Sequence, residues 1–139
     1  KQQKQRQEKH DDQSKAYMEA FMVSVNKKFQ EKGKKMIIYN TTFHIHKDIV
    51  DECLEYLKNS YIPKASESGI LYSPYLRRIL DSRNEEGESF SVQFHTRDID
   101  SLNEWVRKEG GALQQDLIGR YKEKIAGFST LLEDIELPK

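Results

Sequence analysis

The stretch Met36-Ile37-Ile38-Tyr39-Asn40-Thr41-Thr42-Phe43-His44-Ile45-His46 decides the fold. Its side chains alternate with period two. Ile37, Tyr39, Thr41, Phe43 and Ile45 fall on one face, and Ile38, Asn40, Thr42, His44 and His46 on the other. Such alternation, rich in β-branched and aromatic residues, predicts a half-buried β-strand. A second stretch repeats the pattern: Phe90, Val92 and Phe94 point inward from Ser89 to Thr96, with Ser91, Gln93 and His95 outward.

Between and beyond these strands the period changes. Asp48 reads as an N-cap for a helix whose stripe is Ile49, Val50, Cys53, Leu54, Leu57 and Tyr61, ending near Pro63. After Gly69, Ile70 to Leu80 reads as a strand in which Pro74 demands an edge position or a bulge. The charged loop Asp81 to Glu88, with Gly87, suits a hairpin connection. Asp98 caps a further helix carrying Ile99, Leu102, Trp105 and Val106. Gly110-Gly111 is expected to interrupt it before Leu113, Leu117, Ile118 and Tyr121 continue the stripe. Ile125 to Ile135 closes the chain as a fourth strand.

The order β-α-β-β-α-β is that of a ferredoxin-like α+β sandwich spanning residues 36–139. No internal repeat is visible in the sequence. Right-handed crossovers put both helices on one sheet face. The first and third strands are expected as parallel neighbours in the middle, with His44 and His95 near their C-terminal ends.

Upstream, residues 1–35 form a separate unit. They hold ten basic and five acidic groups, net +5, which leaves residues 36–139 with 13 basic and 18 acidic groups, net −5. Lys1 to Lys15 has no apolar side chain, so alone this polar basic tail is read as disordered or a frayed helix. Ala16 to Gln30 carries Tyr17, Met18, Phe21, Met22, Val25 and Phe29 at helical spacing, an amphipathic helix. It is read as packing on its own domain or a second copy. Docking on a membrane surface or partner groove ranks lower, because Glu19 and Glu31 dilute its basic face.

Composition narrows the function classes. The chain has 139 residues, 36% hydrophobic and 33% charged, with zero formal net charge. That balance argues against a general electrostatic grip on nucleic acid. No apolar run reaches the roughly 18 residues of a membrane span. The lone Cys53 and the absence of a signal-peptide pattern lead to the expectation of a soluble, cytoplasmic protein.

The best site candidates lie on the polar sheet face: Asn40, His44, Gln93 and His95, joined by Arg78. Two imidazoles side by side can contribute to a metal site or share a proton with a substrate. Without an acidic or thiol ligand on the same face the metal reading is thin, and no metal or cofactor is expected. The competing reading, a polar face solvated or covered by a second subunit, is preferred. Arg77 and Arg78 are consecutive in a strand, so one faces each side; either an ion pair or a carboxylate ligand satisfies them. Tyr72 and Tyr75 line a pocket or simply pack. No HExxH, CxxC, GxSxG, GxGxxG or P-loop pattern is present.

Together with Tyr61-Ile62-Pro63, Tyr75-Leu76-Arg77-Arg78-Ile79-Leu80, Ser91-Val92-Gln93-Phe94 and Phe128-Ser129-Thr130-Leu131-Leu132-Glu133, the opening strand resembles a family of short uncharacterised proteins of Bacteroidetes-type bacteria. That family is similar to the dimeric α+β barrel proteins. The resemblance covers Met36 to about Leu137; family members start at a Met in the position of Met36, so residues 1–35 fall outside the pattern. It implies a homodimer with two sheets face to face. The wider superfamily spans cofactor-free monooxygenases, haem-handling enzymes and ligand-binding modules, and no catalytic residue carries over. The expected function is a dimeric small-molecule binding or structural module. The alternative is a cofactor-free or haem-related oxygenase or isomerase using His44 or His95 as acid–base group.

Overall fold

The computed structural model describes residues 36–138. The expected tail Lys1 to Lys15 and helix Ala16 to Gln30 lie outside the described residues.

Four strands form one sheet: β1 (Ile37–His46), β2 (Tyr72–Arg78), β3 (Gly87–Thr96) and β4 (Ile125–Glu133). Their order is β2-β3-β1-β4 and every neighbouring pair is antiparallel. This is the ferredoxin-like arrangement. Ile37, Tyr39, Thr41, Phe43 and Ile45 of β1 are buried, as are Phe90, Val92 and Phe94 of β3, so the alternation places the core face as expected.

The pairing of β1 with β3 corrects the expected parallel arrangement. The β1–β2 crossover makes those two strands parallel, and the β2–β3 hairpin sends β3 back between them. The strand inserted in a split β-α-β unit therefore runs against both neighbours.

Two helical runs cover the inner face. Helix α1 comprises an α segment Val50–Tyr56, a π turn Leu57–Tyr61 and a last α turn Ile62–Ala65. Helix α2 comprises Ile99–Trp105, a π turn Val106–Gly110 and Gly111–Tyr121. Both π turns begin after seven residues, a repeat in backbone that has no counterpart in the sequence. In α1 the amide of Ile62 bonds the carbonyl of Leu57, five residues back. That widened turn lets Pro63, which has no N–H to give, sit inside the helix instead of ending it. In α2 the helix likewise runs through the two glycines, with the Gly111 amide bonded to Val106. Gly110 is needed there for space: a Cβ would lie 2.6 Å from the buried Trp105 ring.

Asp98 caps α2 as expected, its carboxylate accepting the Ser101 amide at 2.8 Å. Asp48 does not cap α1. A short 3-10 turn, Lys47–Ile49, precedes that helix, and the His46 ring accepts the Asp48 amide at 3.2 Å. Trp105 ties the helices together by donating Nε1–H to the Ala65 carbonyl at 2.8 Å. Its ring meets Tyr39 edge-on, and Tyr61 meets Phe43 in the same way. These aromatic contacts join both helices to β1, with Cys53, Leu57, Leu102 and Leu117 packed around them. Among the described residues no helix is long and apolar enough to cross a membrane.

Candidate functional site

With both helices on the inner face, no described residue covers the other sheet face, called the open face below. It carries Ile38, Asn40, Thr42 and His44 from β1, Ser89, Ser91, Gln93 and His95 from β3, Tyr75 and Arg77 from β2, and Phe128, Thr130 and Leu132 from β4. Arg77 is the one fixed charge among these, in a chain that is 33% charged. Several of the polar groups bond one another. The Ser91 hydroxyl donates to Asn40 Oδ1 at 2.5 Å, Asn40 Nδ2 donates to Thr42 Oγ1 at 3.3 Å, and His44 Nδ1 shares a bond with the Ser89 hydroxyl at 2.9 Å. Phe128 is 57% exposed and Leu132 41%.

The densest cluster lies where β2 meets β3. Tyr72 pairs with His95 and Tyr75 with Gln93, so β2 holds one residue more than β3 between those pairs. This is a β-bulge, as Pro74 in an edge strand requires. In an unbroken strand Tyr72 and Tyr75, three apart, would face opposite ways. The extra residue brings both onto His95: Tyr72 lies roughly parallel to the imidazole at 6.0 Å between centroids, and Tyr75 meets it edge-on at 6.1 Å. Ser73, within the bulge, has φ of +49°, a region that L-residues seldom adopt, least of all before proline. Its carbonyl lies 3.2 Å from His95 Nδ1. A carbonyl only accepts, so Nδ1 carries the proton and Nε2 of the neutral ring is left with a free lone pair. Arg77 lays its guanidinium over the Tyr75 ring at 4.4 Å and donates to Gln93 Oε1 at 2.8 Å.

Asn40, Gln93 and His95 therefore come together on the open face, Asn40 directly opposite Gln93. His44 does not join them. It pairs with Ser89 while His95 pairs with Ile38, so six residues, or about 20 Å, separate the two histidines along the sheet. Their expected proximity rested on parallel pairing and fails with it. Arg78 lies on the inner face, where it pairs with Glu88 at 3.2 Å and covers the Phe90 ring at 5.3 Å. Arg77 holds the outer position instead. The sequence reading missed the joint placement of Tyr72, Tyr75 and Arg77 beside His95; the signal was Pro74, since a bulge at that point resets which face each residue takes.

A second polar cluster bridges the helices. The Tyr56 hydroxyl donates to the Asp116 carboxylate, and Arg120 covers the Tyr56 ring at 4.4 Å. Burial, then the Asp116 contact, pushes the Tyr56 hydroxyl up to about 12, and the bond from Tyr56 holds Asp116 below the usual carboxylate range. These contacts clamp one helix to the other. Burial keeps the Cys53 thiol protonated, pushing it up to about 12. Among the described residues no group of three or more His, Cys, Asp or Glu side chains is placed to hold a metal ion.

Fold and face together define a small ferredoxin-like α+β domain with one sheet surface that no described residue covers, charge-poor and aromatic at one edge. Residues 36–135 match the domain of unknown function DUF4286, and the chain belongs to that family. No curated protein matches the sequence. Among solved structures the chain is similar to a conserved protein of unknown function from Bacteroides thetaiotaomicron, with a TM-score of 0.54 and 14% identity over 73% of this chain and 100% of that one. It is also similar to an ethyl tert-butyl ether d (EthD) family protein from Bacillus halodurans, with a TM-score of 0.55 and 16% identity over 71% and 99%. A third is SnoaB, a cofactor-independent oxygenase from Streptomyces nogalater, with a TM-score of 0.55 and 11% identity over 76% and 99%. At these identities the likeness is one of fold.

Proposed function

We propose that the protein is a homodimeric small-molecule binding module whose two copies meet through their open sheet faces. The observation that carries this reading is the character of that face. Among the described residues Arg77 is its one fixed charge, Asn40, Thr42, His44, Ser89 and Ser91 already bond among themselves, and Phe128 and Leu132 are exposed on it. Pairing two copies through the part of this face around Phe128 and Leu132 removes apolar area from water without stranding those bonded polar groups, the balance that favours association. The lone buried Cys53 supports a reducing, cytoplasmic setting. Residues 1–35 are proposed as a separate basic unit preceding the domain, and neither nucleic acid nor membrane is proposed as a partner.

Native mass spectrometry of the gently purified full chain tests this in one spectrum. A dimer carrying extra mass supports the binding module. A bare monomer at micromolar concentration contradicts it.

A second reading has its own observation. The Ser73 carbonyl fixes His95 with Nε2 free, the orientation a general base needs. The cofactor-independent oxygenase among the fold relatives is in keeping with an acid–base enzyme of that type. His95 would then take a proton from an acidic substrate group. Turnover abolished by His95→Gln and kept by His44→Gln would support this reading; equal turnover in both would dismiss it.

A further inference from the structure

We infer that Tyr72, Tyr75, Arg77 and His95 form a site for a planar organic anion, in the simplest case an aromatic carboxylate. This deepens the binding-module reading and rests on it, though not on the dimer.

Arg77 is the starting point. Arg78, Arg97 and Arg120 each have a carboxylate within 4.0 Å, whereas no ion pair is found for Arg77, Arg83 or Arg107 among the described residues, and of these three Arg77 alone lies on the open face. Yet Arg77 is held from two sides, by the Tyr75 ring and by the Gln93 amide oxygen. A guanidinium has five N–H donors, and that one bond to Gln93 leaves the rest of the fork available. A cation fixed by stacking loses little freedom on binding, and its planar fork matches a carboxylate two bonds at a time.

The rest of the cluster supplies shape. Tyr72 is 39% exposed and Tyr75 47%, so two aromatic rings remain partly uncovered beside the free cation. A flat ligand gains from both, where a saturated one of equal charge does not. His95 supplies polar recognition between them. With Nδ1 committed to Ser73, Nε2 accepts a bond from a ligand hydroxyl or, when protonated, donates one to the carboxylate. Ser73 is held in an unfavourable conformation to make that contact, as is common where a side chain is positioned for use. Among the described residues, no acidic side chain of the paired strands lies on the open face to repel an anion.

The test is titration of the full chain with 2-naphthoate, followed by calorimetry and by the side-chain nitrogen signals of His95 and Arg77. Comparison ligands are 2-naphthylmethanol, flat but neutral, and cyclohexanecarboxylate, charged but not flat. Both should bind about tenfold more weakly or worse than 2-naphthoate, and Arg77→Gln should weaken 2-naphthoate by about tenfold. Arg78→Gln, on the other face, should leave its affinity unchanged. Unmoved His95 and Arg77 signals at millimolar 2-naphthoate would overturn the inference, as would an Arg77→Gln chain that binds as well as the parent. Sedimentation of the same samples keeps the two readings apart. A dimer blind to 2-naphthoate removes the anion site alone, and a monomer that binds it upholds the site while removing the dimer.

Discussion

The backbone carbonyl of Ser73 accepts the Nδ1–H of His95 at 3.2 Å, and Ser73 reaches it only by adopting φ of +49°. The bulge around Pro74 thus fixes the tautomer of a histidine one strand away. For an L-residue the left-handed region costs about 1–2 kcal/mol, so this contact is maintained against local preference.

Substitution at Ser73 separates conformation from side-chain chemistry. Ser73→Val, whose branched Cβ tolerates that backbone poorly, should lower stability by about 1–2 kcal/mol and shift the His95 ring signals. Ser73→Gly, free of the penalty but more flexible when unfolded, should stay within about 0.5 kcal/mol of the parent. Urea denaturation with imidazole NMR checks both. A Val variant as stable as the parent, with His95 unmoved, would show that the backbone geometry is not needed.

The adjacent glycines of α2 should respond in opposite directions. At Gly110 an added Cβ meets the Trp105 ring at 2.6 Å, and that ring is buried, so Gly110→Ala should destabilise by about 1–3 kcal/mol. At Gly111 the nearest atom would be the Val106 carbonyl oxygen at 3.8 Å, an ordinary contact. Gly111→Ala should therefore stabilise the helix by about 0.5–1 kcal/mol. Thermal unfolding of the two single variants reads the difference directly.

The glycine pair also shows where sequence reading stops. Period-two alternation in β1 and β3 was legible because burial on one face imposes it, and those core residues stand where the pattern puts them. Asp98 was legible because an N-cap is a local bond. The path of the helices through Pro63 and Gly110 was not, since a π turn stabilised by tertiary packing overrides local breaking signals. Asn40, Gln93 and His95 could be placed on one face by parity alone. The separation of His44 from His95 depended on strand direction, which parity does not fix, and the joining of Tyr72 to Tyr75 depended on a single extra residue.

Stability should fall at both ends of the pH range. The Ser101 amide bond holds Asp98, and the Tyr56 hydroxyl holds Asp116, below the ordinary carboxylate value of 3.8. The folded state thus binds fewer protons than the unfolded one, and the stabilisation present above about pH 4 is lost as pH falls through that range. At the alkaline end the signs reverse. Burial raises Cys53 from 9.0, and burial with the Asp116 contact raises Tyr56 from 10.0, each to about 12. The folded state then holds protons the unfolded state has released, so stability should decline as pH rises from about 9 toward 12. Urea midpoints across pH should show a shallower acid slope for Asp98→Asn and a shallower alkaline slope for Cys53→Ala. Slopes identical to the parent's would remove these groups as the cause.

The open sheet face as a meeting surface between two copies is tested most directly at Phe128, which is 57% exposed near the middle of β4. A buried glutamate there would place an unpaired charge in the contact, at a cost sufficient to separate most protein pairs. Sedimentation velocity of the full chain and of Phe128→Glu, at matched concentrations, should give a dimer for the parent and a folded monomer for the variant. A monomeric parent, or a variant that remains fully dimeric, would contradict pairing through this face.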